Sequence, residues 1–210
     1  MLLKRICIFT FVLIIAAGCN QQVEPELEVI IDKTKLQEGD LVFRLGRSRS
    51  SRIVNFADKE RSYSHIGLLV KNSLGEWCVI HAVPGESEET EGREIIKCDL
   101  LLHFFGADRT VIGIVMRFDS IAPISQQIVD KIKELYDKEL PFDHNYALSD
   151  ISTVYCTEFV YRVFLSAGID LSEGRRHTIP LFKEAIIFPS DILKNKALQE
   201  VCEVSFVKKN

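Results

Sequence analysis

The sequence has no excess of positive charge. Its 26 lysines and arginines are outnumbered by 30 aspartates and glutamates, for a formal net charge of −4. A general nucleic-acid binder needs a basic face to displace counterions from phosphate, so that class is not expected. There is no G-x-x-x-x-G-K run to cradle a nucleotide and no H-E-x-x-H pair to hold zinc. Neither a cofactor nor a metal is therefore expected. The six cysteines, Cys7, Cys19, Cys78, Cys98, Cys156 and Cys202, are irregularly spaced and include no C-x-x-C pair. That is neither a disulfide framework nor a zinc signature, although a Cys78–Cys98 bridge stays open. Internal repeats and low-complexity tracts are missing, and beyond the N-terminal stretch no apolar run is long enough to cross a bilayer.

What is present is a chain of 210 residues, 47% hydrophobic and 27% charged. That suffices for one domain with a full core. At the N-terminus Lys4 and Arg5 precede the short apolar run "ICIFTFVLIIAA", and "AAGC" follows. This is the pattern of a secretory signal, and its small-small-Cys ending resembles a bacterial lipobox. The resemblance implies a signal over residues 1–18, lipid on Cys19, and a polar tether over 19–36 beginning "NQQVEPELE". The domain proper is expected over 37–210, held at a membrane of the cell envelope by lipid and not by a spanning helix.

Within the domain, "DLVFRL" from Asp40 reads as a first strand and "GRSRSSRIVNFADK" as a short helix, with Ile53 and Phe56 at i, i+3. "HIGLLVK" from His65 and "EWCVIHAV" from Glu76 read as a hairpin turning at 72–75. "PGESEETEG", with Glu86, Glu88, Glu89 and Glu91, reads as an acidic loop. "TVIGIVMRF" from Thr110 is a buried strand. The spacing of Ile121, Ile124, Ile128, Ile132 and Leu135 predicts a helix with one core face. A second helix starts near Cys156, buries Phe159, Val160, Val163 and Phe164, and stops at Gly168. "CEVSFV" reads as a last strand. The class is α+β, an antiparallel sheet or small barrel with helices packed on it.

Cys156 is the residue that this pattern singles out. At a helix start, unpaired backbone N–H groups and the helix dipole favour a thiolate, and Thr153 is a plausible cap. A lone cysteine is more often a small buried hydrophobe, but two histidines stand on the adjacent strands of the hairpin. His65, Gly67 and Leu69 share one face, and so do Val79 and His81. A thiol, a base and a group that orients the base are the parts of covalent cysteine catalysis. His103, His144 and His177 have no evident partners. Asp143, Tyr146 and Asp150 precede the nucleophile and shape its surroundings.

The ordered pieces "EGDLVFR", "YSHIGLLV", "VIHAVPG", "YCTEFVYRVF" and "FPSDIL" resemble the YiiX-like hydrolases, the circularly permuted branch of the NlpC-type, papain-fold cysteine peptidases and amidases. The resemblance covers about Gly39 to Leu193. It implies a permuted papain-like fold, Cys156 as nucleophile and His65 as base, with the histidine first in the chain. The third polar member in this group is usually Glu, and here the slot holds His81. Tyr63 and Tyr155 are the implied substrate-binding or oxyanion candidates, and Glu158 matches the "C-(S/T)-E" pattern. The implied substrate is a peptide or amino-acid amide, with cell-wall peptide first. Two other readings stay open. One is a lipid-directed acyltransferase or thioesterase, favoured by an apolar groove beside Cys156. The other is an inactive binding module, favoured by a remote His65.

Overall fold

The computed structural model describes residues 27–85, 92–180 and 182–209. The signal segment, Cys19 and the acidic cluster at 86–91 lie outside these residues. The elements are β1 (Leu27–Ile30), β2 (Leu41–Gly46), α1 (Arg49–Ala57), β3 (His65–Lys71), β4 (Trp77–His81), β5 (Lys97–Leu100), α2 (Leu101–Phe104), β6 (Thr110–Phe118), α3 (Ser125–Asp137), α4 (Cys156–Leu165), α5 (Pro189–Leu193) and β7 (Leu198–Lys208). All seven strands join one sheet in the order β1-β7-β6-β2-β3-β4-β5, antiparallel throughout, which curls into a half-barrel.

β3 is apolar almost throughout because both of its faces are covered. Ile66, Leu68 and Val70 face the larger core, built with Phe159, Val160 and Val163 of α4 and Ile128 and Ile132 of α3. Leu69 faces a smaller core with Val42, Val79 and Phe104 of α2. The 3.6-residue period of α3 and α4 lays a continuous apolar stripe on the first face. Gly168, at φ +78°, ends the turn that follows α4.

Two expectations change. Residues 27–30, read from sequence as part of a tether, pair with β7, Leu27 opposite Lys208 and Ile30 opposite Ser205. The ordered domain therefore begins before residue 37. Thr153 does not cap α4; its hydroxyl donates to Asp150. Tyr155 holds the cap position, and its backbone N–H donates to the Glu158 carboxylate at 3.2 Å. Glu158 is buried and also accepts from Arg162, so its role is to build the helix start.

Candidate active site

Sheet register brings the two histidines together, though not as direct cross-strand partners. Leu68 stands opposite Ile80 and Leu69 opposite Val79. Continued, that register sets His81 opposite Gly67, with His65 one diagonal step away. The diagonal is short because position 67 carries no side chain. A Cβ there would lie 2.5 Å from Val79 Cγ1 and 3.0 Å from His81 Cβ. The rings instead meet edge to face with centroids 4.9 Å apart, and His65 Nε2 lies 2.8 Å from His81 Nδ1. Phe104 packs against both rings, and Arg44, opposite His65 on β2, lies over Phe104 and donates to its carbonyl.

Beyond His81 stands a residue that the sequence reading does not anticipate. His81 Nε2 lies 3.0 Å from Asp99 Oδ2, and Lys97 Nζ lies 3.1 Å from the same oxygen. Both partners sit on β5, which pairs with β4 and sets Lys97 opposite His81 and Asp99 opposite Val79. All four side chains are buried. Burial alone raises the Asp99 carboxyl, but the hydrogen bond and charge of His81 and the charge of Lys97 outweigh it and hold the group below the usual carboxylate range. Asp99 is thus ionised. Burial pushes both imidazoles down, His65 well below its ordinary value, with the Arg44 and Lys97 charges adding to the effect.

These charge states fix the tautomers. An ionised carboxylate only accepts, so His81 carries its proton on Nε2 and accepts at Nδ1. His65 therefore donates from Nε2 and keeps a lone pair on Nδ1. The chain Asp99–His81–His65 thus presents a base at one nitrogen, with its orientation set from the sheet.

Cys156 belongs to the core on the α4 face. His65, in step with Leu69, turns toward the smaller core beside Phe104, and no hydrogen bond joins it to Cys156; the two residues meet only in the lining of a small cavity of about 30 Å³ where β3 begins, with Ser50, Ser51, Ser64, Val54, Ala82 and Val83 among the other walls. Backbone N–H groups of Ile66, Thr157 and Cys156 itself surround the sulfur, and Thr157 Oγ1 lies 3.7 Å away. The helix-start position was expected to favour a thiolate. In the fold, burial outweighs those donors and raises the thiol above its ordinary value. The resting thiol and the His65 imidazole are therefore both neutral.

A second, larger cavity of about 210 Å³ opens on the other side of Cys156 and is lined by residues of α1 and of the 182–189 segment. Tyr146 belongs to both cavities. It sits at φ +53° among the rings of Phe142, Tyr155 and Phe182, and burial raises its hydroxyl to about 12. Tyr155 lines the larger cavity, but its hydroxyl accepts the backbone N–H of Ile187. Tyr63 packs on Phe43, feels the charges of Glu203 and Glu200, and lines neither cavity. The histidines without evident partners all have one: His103 with Asp99, His144 with Glu94 and His177 with Asp191. Cys78 and Cys98 are hydrogen-bonded neighbours, and both are free thiols.

Comparison with known proteins identifies the family and the fold. Residues 35–201 match the family described as permuted papain-like amidase enzyme, YaeF/YiiX, C92 family. A crystal structure of the protein yiiX from Escherichia coli O157:H7, described as a metalloprotein, superposes with a TM-score of 0.63 at 22% identity, covering 80% of this chain and 98% of that one. No curated protein matches. Among the described residues no group of three or more His, Cys, Asp or Glu side chains is placed to hold a metal ion.

Proposed function

The chain belongs to the permuted papain-like amidase family, and from that premise we propose that it is a cysteine amidase in which Cys156 attacks, His65 moves the proton, and His81 orients His65. The observation that carries the reading is the tautomer chain, which leaves a lone pair on His65 Nδ1, together with a small cavity whose walls include both His65 and Cys156. As the sulfur bonds to the amide carbonyl carbon, its proton passes to His65 Nδ1. The resulting oxyanion is met by the unpaired amides of the first turn of α4. His65 then gives the proton to the departing nitrogen, the C–N bond breaks, and an acyl-enzyme remains on Cys156. Water, deprotonated by His65, releases the acid and restores the thiol. Because the resting pair is neutral, no stable thiolate is required, and proton transfer accompanies attack.

Cys19 and the preceding signal support placing this activity at the cell envelope on a lipid anchor. The catalytic reading is tested by incubating the protein with N-acyl amino-acid p-nitroanilides, quenching with acid and mapping the acyl group by mass spectrometry. Native protein is expected to carry the acyl mass on Cys156, and Cys156→Ala to be folded and inactive. Full hydrolysis by Cys156→Ala would refute the assignment.

A further inference from the structure

Helix α1 turns its side chains the opposite way from an ordinary surface helix, which hides its large apolar residues. Its inner face is small: Ser51 is buried, and Val54 and Ala57 are half-buried. Its two largest apolar side chains point outward, Ile53 at 70% exposed and Phe56 at 80%. A single exposed apolar residue is ordinary, but here two are joined by two arginines. Arg49, Arg52, Ile53 and Phe56 stand at i, i+3, i+4 and i+7, so one face of the helix carries all four, and all four are exposed.

The charge around this face is equally one-sided. The chain as a whole is acidic, at −4, yet residues 47–61 carry Arg47, Arg49, Arg52, Lys59 and Arg61 against only Asp58 and Glu60. The five cations are exposed. Asp58 is buried and accepts from the Ser190 hydroxyl at 2.8 Å, and Glu60 is held by Lys194 at 2.9 Å. Among the described residues no carboxylate pairs with Arg49, Arg52, Lys59 or Arg61. The Arg61 guanidinium lies over the Phe56 ring, 6.0 Å from its centroid. A ring can enter an apolar layer from there while the cation stays at its border. Nucleic acid would satisfy the cations and leave Ile53 without an apolar partner. An anionic bilayer meets both, with phosphates at the level of the guanidinium groups and acyl chains just beneath.

We propose that α1 docks flat on a bilayer surface rich in anionic lipid, with Ile53 and Phe56 below the phosphates and Arg49, Arg52 and Arg61 among them. The docking is independent of the catalytic reading. The lipid anchor proposed at Cys19 stands eight residues before Leu27, a span of at most about 29 Å. Such an anchor keeps the domain at the surface, and α1 sets which face turns toward it.

The test uses the full chain reconstituted in vesicles of equal parts phosphatidylcholine and phosphatidylglycerol, with and without bromine on the acyl chains. Trp77→Phe removes the only tryptophan, and a reporter enters by Phe56→Trp or, as a control, by Leu74→Trp. Leu74 is equally exposed but stands in the turn between β3 and β4. Bromine quenches an indole that enters the acyl layer. The Phe56→Trp indole is expected to lose at least about half its emission in brominated vesicles, and the Leu74→Trp indole almost none. Each basic residue near an anionic surface is worth about fivefold. Adding Arg49→Glu and Arg52→Glu is therefore expected to lower the ratio of docked to undocked helix at least about 25-fold and to abolish the quenching. These positions are exposed, and an unchanged melting temperature checks that each variant is folded. Equal quenching of the two reporters, or none of the Phe56→Trp indole, overturns the proposal. A Phe56→Trp indole shielded from aqueous iodide yet unquenched by bromine overturns it too, and marks a face covered by a second copy of the chain. Quenching that survives both arginine replacements overturns the anionic partner.

Discussion

Replacing His81 with glutamate, the residue that the family resemblance implies for this slot, probes the polar chain at its middle link. In this fold the introduced carboxyl would sit between His65 and the ionised Asp99, about 3 Å from each, judging by the 2.8 and 3.0 Å bonds that His81 makes. Two unit charges 3 Å apart repel by about 5.5 kcal/mol at an effective dielectric of about 20. That equals about four pK units, enough to lift an ordinary glutamate to roughly 8; Lys97 pulls it back part of the way, and burial at this position raises it again. At neutral pH the new group therefore keeps its proton. A neutral carboxylic acid accepts on one oxygen and donates from the other, as neutral His81 does, so the tautomer of His65 is preserved. The expected His81→Glu rate at pH 7 lies within about tenfold of native. Above about pH 8 the shared proton leaves, the carboxylates repel and the rate falls. Adding Asp99→Asn removes the repulsion and with it the alkaline fall. The assay is the rate of Cys156 acylation or alkylation from pH 5 to 10 for the native protein, His81→Glu, the double variant and His81→Ala, the last expected to lose one to two orders of magnitude. Matching alkaline limbs in the single and double variants, or an undiminished His81→Ala, would refute the reasoning.

Three further outcomes are expected. His65 and His81 are buried with lowered pKa values, so below their ordinary value of about 6.5 the unfolded chain binds protons that the folded one does not. Stability is then complete above that pH and falls on acidification, each imidazole adding up to about 1.4 kcal/mol per pH unit; a melting temperature flat from pH 7 to 5 would contradict this. Gly67→Ala forces a Cβ against Val79 and His81 and should cost about 1–3 kcal/mol in denaturant unfolding, with a loss of Cys156 reactivity larger than the stability change explains. Mass spectrometry of protein from native membranes should find acyl groups on Cys19, whereas an unmodified Asn20 N-terminus would exclude the lipid anchor.

Much of this architecture was legible because apolar periodicity reports burial. β3, β6, α3 and α4 carry unbroken apolar faces, and the sequence places each of them closely. β5 escaped because its inward positions are Lys97 and Asp99, charged residues buried by serving His81. A strand whose core face is polar has the period of a strand without its hydrophobic signal. Asp99 was missed for the same reason, since nothing local in "KCDL" marks a partner sixteen residues beyond Val83. β1 is short and half-exposed, and only its pairing with β7 orders it. In α1 the i, i+3 pair Ile53 and Phe56 does belong to a helix, but both side chains face outward. Spacing reveals a stripe and not what covers it. The raised pKa of Cys156 was equally out of reach, because the helix start is visible in sequence and the depth of burial is not.

The pairing of Leu27 with Lys208 makes the order of the proposed catalytic residues along the chain a matter of where the backbone is cut. These two residues are cross-strand partners at one edge of the sheet, about 5 Å apart at Cα, so a linker of a few residues can join them. The turn at Lys138 and Glu139 is exposed and lies between α3 and α4, outside every strand pair. A gene that runs from residue 139 to 208, through the linker, and on from 27 to 138 would encode Cys156 ahead of His65 while leaving every strand neighbour unchanged. Connectivity and catalytic geometry are thus separable in this molecule, and the cysteine-first order of ordinary papain-like enzymes is one ligation and one scission away.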